Sequence, residues 1–209
     1  MPVSVSGWLE NWKVLHRNES NGGLMVLMED DKVAKTFPSK GYLLSWMRIL
    51  LKKTKAHKQD RSMRSLNRVG LVTPEPLGVL NFYPGTGPYE AALLYRYVHD
   101  IVDVSEALKG PKRSTILKNL ERELAVMANH GILFVDFHFR NVMADPEGNL
   151  CWIDVEVKEG MTVVRKSFWS RIVRMNEDCD PGVLSEEEWQ AFQDGIRSQL
   201  NDPGQFLPA

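Results

Sequence analysis

The segment from 131 to 157 constrains the fold most, because short apolar runs alternate there with polar side chains. Asp136 directly follows one apolar run, Asn141 comes five residues later, and Asp154 ends a later apolar run thirteen residues further on. Polar side chains that leave buried strands are held on a rigid support. Two carboxylates and an amide there offer the oxygen ligands that Mg²⁺ prefers. Each residue alone also suits a turn or a cap, but the three together favour a metal-assisted site.

The rest of the chain predicts two parts of different character. Before about residue 98, apolar runs and turn signals predict antiparallel strands, and a helical period predicts one long helix. These elements are strands at 12–16, 24–28 and 32–37, a helix at 39–69, and a hairpin at 77–83 and 89–98. Beyond a boundary near 98–102, the elements are helices at 105–108, 114–130, 167–176 and 185–200 and strands at 132–135, 142–144 and 150–155. Ser185 and Glu188 have the spacing of a capping box in the last helix.

The stretch HGILFVDFHFRNVMADPEGNLCWIDVE at 130–156 resembles the catalytic core of the protein-kinase-like superfamily. Asp136 and Asn141 match its D-x-x-x-x-N catalytic loop, and Asp154 matches the metal-binding aspartate that usually precedes Phe-Gly. The resemblance implies an α+β, bilobal protein-kinase-like fold. Its N-lobe would be a small antiparallel sheet with one main helix, and its C-lobe would be compact and mostly helical.

The segment KVAKTF at 32–37 is similar to the third strand of the kinase small lobe, which puts Lys35 at the position of the phosphate-pairing lysine. The resemblance then implies an N-lobe over 1–98 on the nucleotide-phosphate side. A truncated C-lobe over 99–209 would carry the catalytic loop and the metal site. Together the two lobes would form one kinase-like domain.

The resemblance also implies a role for each matched residue. Asp136 would orient or deprotonate the acceptor hydroxyl, Asn141 and Asp154 would hold Mg²⁺, and Lys35 would steady the α- and β-phosphates of ATP. Phosphoryl transfer needs mainly positioning and charge neutralisation, which these side chains supply. His138 stands where protein kinases usually have lysine, as in small-molecule and lipid-sugar kinases. It is interpreted either as a phosphate contact or as a structural histidine.

Several positions depart from the protein-kinase pattern. The usual Asp-Phe-Gly is replaced by Asp-Val-Glu, and the loop at 18–23 has only Gly22 and Gly23, which suit either a phosphate cradle or a plain hairpin turn. The predicted N-lobe helix carries no glutamate to pair with Lys35. Asp60 is its only acid and is therefore the candidate partner, with Asp154 as the alternative.

The compact length, the GLVTPEPLGV segment at 70–79 and the IDVE ending are most similar to the lipopolysaccharide core kinases, which act on Kdo and heptose. This resemblance implies ATP- and Mg²⁺-dependent transfer of the γ-phosphate to a hydroxyl of a sugar or lipid-linked sugar. Two alternatives stay open: another small-molecule kinase of the aminoglycoside or choline type, and a catalytically silent pseudokinase that acts as a regulatory binding module. Retention of the four matched residues favours activity, whereas the missing glutamate and the poor glycine loop favour silence.

The charge is concentrated in one segment, although the formal net charge of the chain is only −1. Between Arg48 and Arg68 there are eight basic residues against one acid, so this segment predicts either an anionic partner or a solvated helix face. We expect peripheral contact with an anionic membrane surface through Lys52–Arg68, and an anionic sugar acceptor. The apolar residues Tyr42, Trp46, Ile49 and Leu50 would form either an interfacial edge or the buried face of a helix. A nucleic-acid partner is disfavoured, because no strand motif with interleaved aromatic residues accompanies the lysines.

The two cysteines, Cys151 and Cys179, have no paired spacing, which argues against a disulfide framework or a zinc knuckle. No apolar stretch reaches the roughly 20 residues of a membrane-spanning helix, and the first residues lack the pattern of a signal peptide. We therefore expect a cytoplasmic protein at the inner face of the cytoplasmic membrane.

Overall fold

The computed structural model describes residues 12–17 and 22–207 and contains ten short strands in that part of the chain. The strands are β1 (Lys13–Arg17), β2 (Leu24–Leu27), β3 (Lys32–Pro38), β4 (Pro76–Asn81), β5 (Tyr89–Arg96), β6 (Val102–Asp103), β7 (Ile132–Phe134), β8 (Val142–Ala144), β9 (Leu150–Trp152) and β10 (Val157–Glu159). The helices are α1 (Tyr42–Leu50), α2 (Lys55–Arg68), α3 (Val104–Ala107), α4 (Arg113–Asn129), α5 (Met161–Arg174) and α6 (Glu186–Gln199). Most of these elements match the predicted ones; β6 and β10 were not predicted.

The chain divides into two compact units. A short segment that lies between the two parts of the first unit in sequence belongs to the second unit. The first unit contains the residues up to Arg64 together with Pro74–Val98, and the second contains Ser65–Thr73 together with His99–Ala209. The second unit thus includes residues 65–73, which the sequence prediction places in the N-lobe over 1–98. Hydrogen bonds explain the difference, because the Ser65 hydroxyl donates to Glu159 and the Trp152 amide donates to the Val72 carbonyl at 2.9 Å.

The first unit is built on a five-stranded antiparallel sheet in the order β1-β2-β3-β5-β4. Apolar residues of β2, β3 and β5 share one core cluster, in which Val26, Ala34 and Ala92 have no exposed surface. The Thr36 hydroxyl fixes the start of β2, since it accepts from the Leu24 amide at 2.8 Å and donates to the Leu24 carbonyl. Strand β3, which carries Lys35, is the central strand and pairs with β2 on one edge and β5 on the other.

The single helix predicted over 39–69 is wrong, because the structure has two helices there. The backbone of Lys52 enters the left-handed region with φ at 51°, and the Lys53 amide closes α1 by donating to the Arg48 carbonyl at 2.7 Å. The Thr54 hydroxyl then accepts from the His57 amide at 3.3 Å, as an N-cap does for a new helix. The break needs no glycine or proline, so the periodicity alone did not predict it.

The second unit is organised by helix α4, whose buried stripe includes Ile116, Leu120 and Leu124. Its start is joined to the start of α6 by a two-pronged ion pair between Arg113 and Glu188, with N···O distances of 2.6 and 2.7 Å. The predicted capping box of Ser185 and Glu188 is confirmed. These contacts form a helical base under the short strands β6 to β10, from which the catalytic-loop segment emerges.

Candidate active site

An aromatic cluster supports the segment that matches the kinase catalytic loop. Phe134, Phe137 and Phe139 are buried, and the rings of Phe134 and Phe137 have centroids 5.3 and 5.9 Å from the ring of Trp152. Phe137 and Phe139 alternate with Asp136, His138 and Arg140, and burial of the two rings leaves Asp136 and Arg140 exposed. Asp136 is 60% exposed as a result. The chain thus presents a carboxylate to solvent from a rigid apolar support.

The support is itself fixed by a residue that the sequence did not indicate. The indole N–H of Trp152 donates to the buried carboxylate of Glu123 on α4 at 2.6 Å. Burial raises the pKa of Glu123, and the hydrogen bond from Trp152 opposes that effect. An acid within an otherwise apolar helical stripe is the signal that could have identified this contact.

Backbone pairing brings Asn141 and Asp154 side by side. Strands β8 and β9 pair in antiparallel register from Val142 and Trp152, and the Ile153 amide donates to the Asn141 carbonyl at 3.0 Å. The Asn141 side chain donates through Nδ2 to the Asp136 carbonyl at 2.9 Å. This bond fixes the amide orientation and leaves Oδ1 as the ligand-type atom. Asn141 is therefore tied through its side chain to the backbone of Asp136 and through its own carbonyl to Ile153, the residue before Asp154.

Asp154 lies in a tight bend rather than at the end of a strand. Strand β9 ends at Trp152, and Asp154 adopts a φ of 51°, in the left-handed region that aspartate tolerates better than most residues. The bend is held because Val155 is buried and the Val135 amide donates to the Glu156 carbonyl at 2.9 Å. Such a conformation costs on the order of 1 kcal/mol. In the Asp-Val-Glu sequence, the buried Val155 side chain therefore holds the bend in place.

His138 lies next to Asp136, with 4.0 Å between Nε2 and the carboxylate Oδ2. Its other ring nitrogen, Nδ1, is buried and has no hydrogen-bond partner among the described residues. Burial lowers the pKa of His138, an effect that the carboxylates of Asp136 and Asp180 oppose. The imidazole is therefore mainly neutral at neutral pH, so it acts as a hydrogen-bonding group rather than as a fixed cation.

Asp180 positions the loop and was missed by sequence reasoning. Its buried carboxylate accepts from the Phe139 amide at 2.7 Å, across 41 residues of chain. Helix α5 widens into a π-helical turn at Met175–Cys179 immediately before it, and such turns are often found at functional sites. A π-helical turn has no sequence pattern that would have indicated Asp180.

Lys35 lies on β3 in the first unit, opposite Met25 of β2 and Leu93 of β5. Burial, and secondarily the positive charge of Lys55, lower the pKa of Lys35 to about 8. A lysine with this pKa keeps most of its charge at neutral pH but loses it within the mildly alkaline range. That behaviour is typical of a functional lysine more than of a solvated one.

The predicted glycine loop lies partly outside the described residues, because 18–21 are not described. Gly22 has a φ of 70°, and its carbonyl accepts from the Tyr89 hydroxyl at 3.1 Å. Gly23 is buried, and the two glycines directly precede β2, the strand that pairs with β3 beside Lys35. The positive φ explains Gly22 as a turn residue.

Asp60, the predicted partner of Lys35, pairs with a residue of its own helix. Asp60 accepts two hydrogen bonds from the guanidinium of Arg64, one turn later on α2, at 3.0 and 3.1 Å. Spacing of i and i+4 places these two residues on the same helix face. Asp60 therefore has a local structural role.

The donor set of the second unit suits magnesium rather than zinc. In the part of the chain that the structure describes, no three His, Cys, Asp or Glu side chains are close enough to hold a metal ion. The amide oxygen of Asn141 and the carboxylate of Asp154 are hard oxygen ligands. Mg²⁺ usually binds through one or two such groups and completes its shell with water and phosphate. The two residues therefore fit the ion that the resemblance implies.

Comparison with known proteins adds a relative with a named activity. No protein-family model matches the chain. A 3-deoxy-D-manno-octulosonic acid kinase of Xylella fastidiosa (strain M12) is 24% identical over 175 residues, which are 80% of this chain and 64% of that protein. The chain thus spans slightly less than two thirds of the length of this relative.

Two solved structures have a similar fold. WaaP in complex with acyl carrier protein aligns with a TM-score of 0.60 at 13% identity, over 92% of this chain and 83% of that one. WbdD with the kinase inhibitor LY294002 aligns with a TM-score of 0.54 at 17% identity, over 94% of this chain and 46% of that one. The predicted kinase-like fold is thus confirmed, and the chain is similar in sequence to a 3-deoxy-D-manno-octulosonic acid kinase.

Proposed function

We propose that the protein is a kinase that uses ATP and Mg²⁺ to phosphorylate a hydroxyl of a sugar or lipid-linked sugar, with Kdo or heptose of the lipopolysaccharide core as acceptor. The observation that carries the proposal is the hydrogen-bonded link from Asp136 through Asn141 to Ile153, directly before Asp154, on a buried aromatic support. The similarity to a 3-deoxy-D-manno-octulosonic acid kinase supports the acceptor class.

In this proposal each residue contributes charge or position. The exposed Asp136 carboxylate accepts the proton of the acceptor hydroxyl while the hydroxyl oxygen bonds to the γ-phosphorus of ATP. The bond between the γ-phosphorus and the oxygen that bridges it to the β-phosphate breaks, which releases ADP. Asn141 Oδ1 and Asp154 hold Mg²⁺, which when bound neutralises phosphate charge. Lys35 contacts the α- and β-phosphates, as Gly22 and Gly23 also would through their backbone.

An anionic acceptor is supported by basic groups around the loop. Burial is the main cause that lowers the pKa of His138; the positive charges of Arg140 and Arg174 also lower it, against the opposing carboxylates of Asp136 and Asp180. Guanidinium groups bind carboxylates with two parallel hydrogen bonds. A sugar acid that carries a carboxylate would therefore be favoured over a neutral sugar.

The test is a transfer assay with γ-labelled ATP and three acceptors: Kdo-containing lipid A precursor, a heptose-containing one, and an aminoglycoside. Label transfer to a core sugar supports the proposal, whereas transfer to the aminoglycoside alone would assign the protein to the other small-molecule kinases. Thermal unfolding with ATP, with and without Mg²⁺, is measured in parallel. A protein that neither transfers label nor gains Tm from MgATP would be a pseudokinase, and the proposal would be wrong.

A further inference from the structure

Helix α1 exposes its apolar residues instead of burying them. The most exposed are Leu43 and Leu50, each 72% exposed, and Tyr42, Met47 and Leu51 are also more than half exposed. Leu43, Met47 and Leu50 recur at helical spacing, so they form one continuous outward face. Contiguous exposed apolar surface of this kind marks an interaction site in a water-soluble protein.

The opposite side of α1 is polar, and it attaches the helix to the sheet. Ser45 is fully buried and donates to the carboxylate of Glu90 on β5 at 3.1 Å, while Arg48 pairs with the same carboxylate at 3.2 Å. Glu90 is only 1% exposed. The outward position of the leucines is therefore fixed by a specific internal contact and does not come from a loose helix.

Positive charge flanks the apolar face at both ends. Lys40 precedes α1, Lys52 and Lys53 follow it, and all three are exposed. The sequence from 39 to 53 contains no acidic residue. An apolar helix face bordered by lysines has the composition of helices that lie in the interface of anionic membranes.

We propose that α1 lies in the headgroup region of an anionic lipid bilayer, with Leu43, Met47 and Leu50 inserted among the acyl chains. The proposal goes beyond the proposed kinase function and does not require it. The membrane contact that the sequence predicts for Lys52–Arg68 is thus assigned to α1 instead. Two arginines of α2 already have partners within the protein, because Arg61 donates to the Lys52 carbonyl and Arg64 donates to Asp60. An acidic protein is the competing partner, but the face of α1 offers it aliphatic side chains without hydrogen-bonding groups.

The experiment is flotation of the full chain with vesicles of phosphatidylcholine, with and without phosphatidylglycerol. We expect binding that requires phosphatidylglycerol and that falls by at least about tenfold in the double variant Leu43→Gln, Leu50→Gln. Lys52→Gln with Lys53→Gln should weaken only the preference for the anionic lipid, and added salt should do the same. The matched control is Val72→Gln with Val102→Gln, which changes two apolar residues away from α1 that are also more than half exposed.

Unchanged vesicle binding in the α1 double variant, or no binding by the wild-type chain, would overturn the proposal. Binding to an acidic acyl carrier protein that is lost in the same variant, without vesicle binding, would assign α1 to a protein partner and overturn it too. Circular dichroism and Tm of every variant should match the wild type, since the substituted side chains are exposed. Phosphate transfer to a soluble acceptor should stay unchanged, which separates this result from a failure of the kinase proposal.

Discussion

At the scale of single residues, the catalytic-loop segment alternates buried rings with polar side chains that can act on a substrate. Phe137 and Phe139 are buried and anchor the loop, whereas the Asp136 side chain beside them is 60% exposed. Mutations of the two kinds should therefore have opposite signatures. Loss of a ring should lower stability, and loss of a polar group should lower activity.

Asp136→Asn should lower kcat by about a hundredfold to ten-thousandfold while the free energy of unfolding stays unchanged. The asparagine amide cannot accept the proton of the acceptor hydroxyl. Loss of a general base typically lowers the rate by this factor. Label transfer and urea unfolding measure the two effects. Glu147→Gln, an exposed acid in the nearby turn, is the control. Near-native turnover of Asp136→Asn would contradict the assignment.

The affinity for MgATP should fall as pH rises above about 8. Burial and Lys55 lower the pKa of Lys35 to about 8, so the free protein loses the phosphate-pairing charge above this pH. The dissociation constant should then rise by up to about tenfold per pH unit. Calorimetric titration in buffers from about pH 7 to about pH 10 measures it. Lys35→Arg, which stays charged, should flatten the profile; a flat profile in the wild type would count against the role of Lys35.

Asp180→Ala should act on turnover through the position of the loop. The Phe139 amide would lose its acceptor, and an unsatisfied buried N–H costs about 1–3 kcal/mol. We expect a lower kcat with little change in the KM for ATP, because no proposed nucleotide contact is altered. Asp180→Asn retains an acceptor oxygen and should restore most of kcat. Equal losses in both variants would show that the negative charge, rather than the hydrogen bond, is what matters.

At the scale of elements, helix α1 and strand β5 depend on one buried carboxylate. Glu90→Gln would leave Arg48 without its ion-pair partner, and breaking such a buried pair costs about 3 kcal/mol. Urea unfolding measures the loss. The matched control is Glu75→Gln, which breaks the exposed pair with Arg96 and should change stability by less than about 1 kcal/mol. Equal effects of the two substitutions would contradict the proposed role of Glu90.

The helices also show why part of the fold could not be predicted from the sequence. Helical period identifies an apolar face on α1, but it cannot tell whether that face points inward, and here Glu90 of a distant strand decides. The break at Lys52 depends on a left-handed residue that carries no glycine signal. Eight of the ten strands in the described residues were predicted, because apolar runs and turn residues are local signals; β6 and β10 were not. One continuous segment with a recognisable spacing contains Asp136, Asn141 and Asp154, so they could be predicted to lie together. Asp180 is 41 residues from its partner Phe139, and no local pattern links the two.

At the scale of the whole molecule, the fold matched in the comparisons is carried by two units with different kinds of core. The first is a sheet with Lys35 on its central strand, and the second is a helical base with short strands that hold Asp136, Asn141 and Asp154. In the part of the chain that the structure describes, no helix is long and apolar enough to cross a bilayer.

The second unit is discontinuous in sequence, and this has a consequence for synthesis. Residues 65–73 leave the ribosome before β5 is made, yet their partners Trp152 and Glu159 emerge some eighty residues later. Domains generally fold as units while the chain is being made. The sheet of the first unit can close as soon as β5 emerges, but the end of α2 must wait. A nascent chain stalled before residue 152 would therefore hold a closed first sheet and an unfinished second unit.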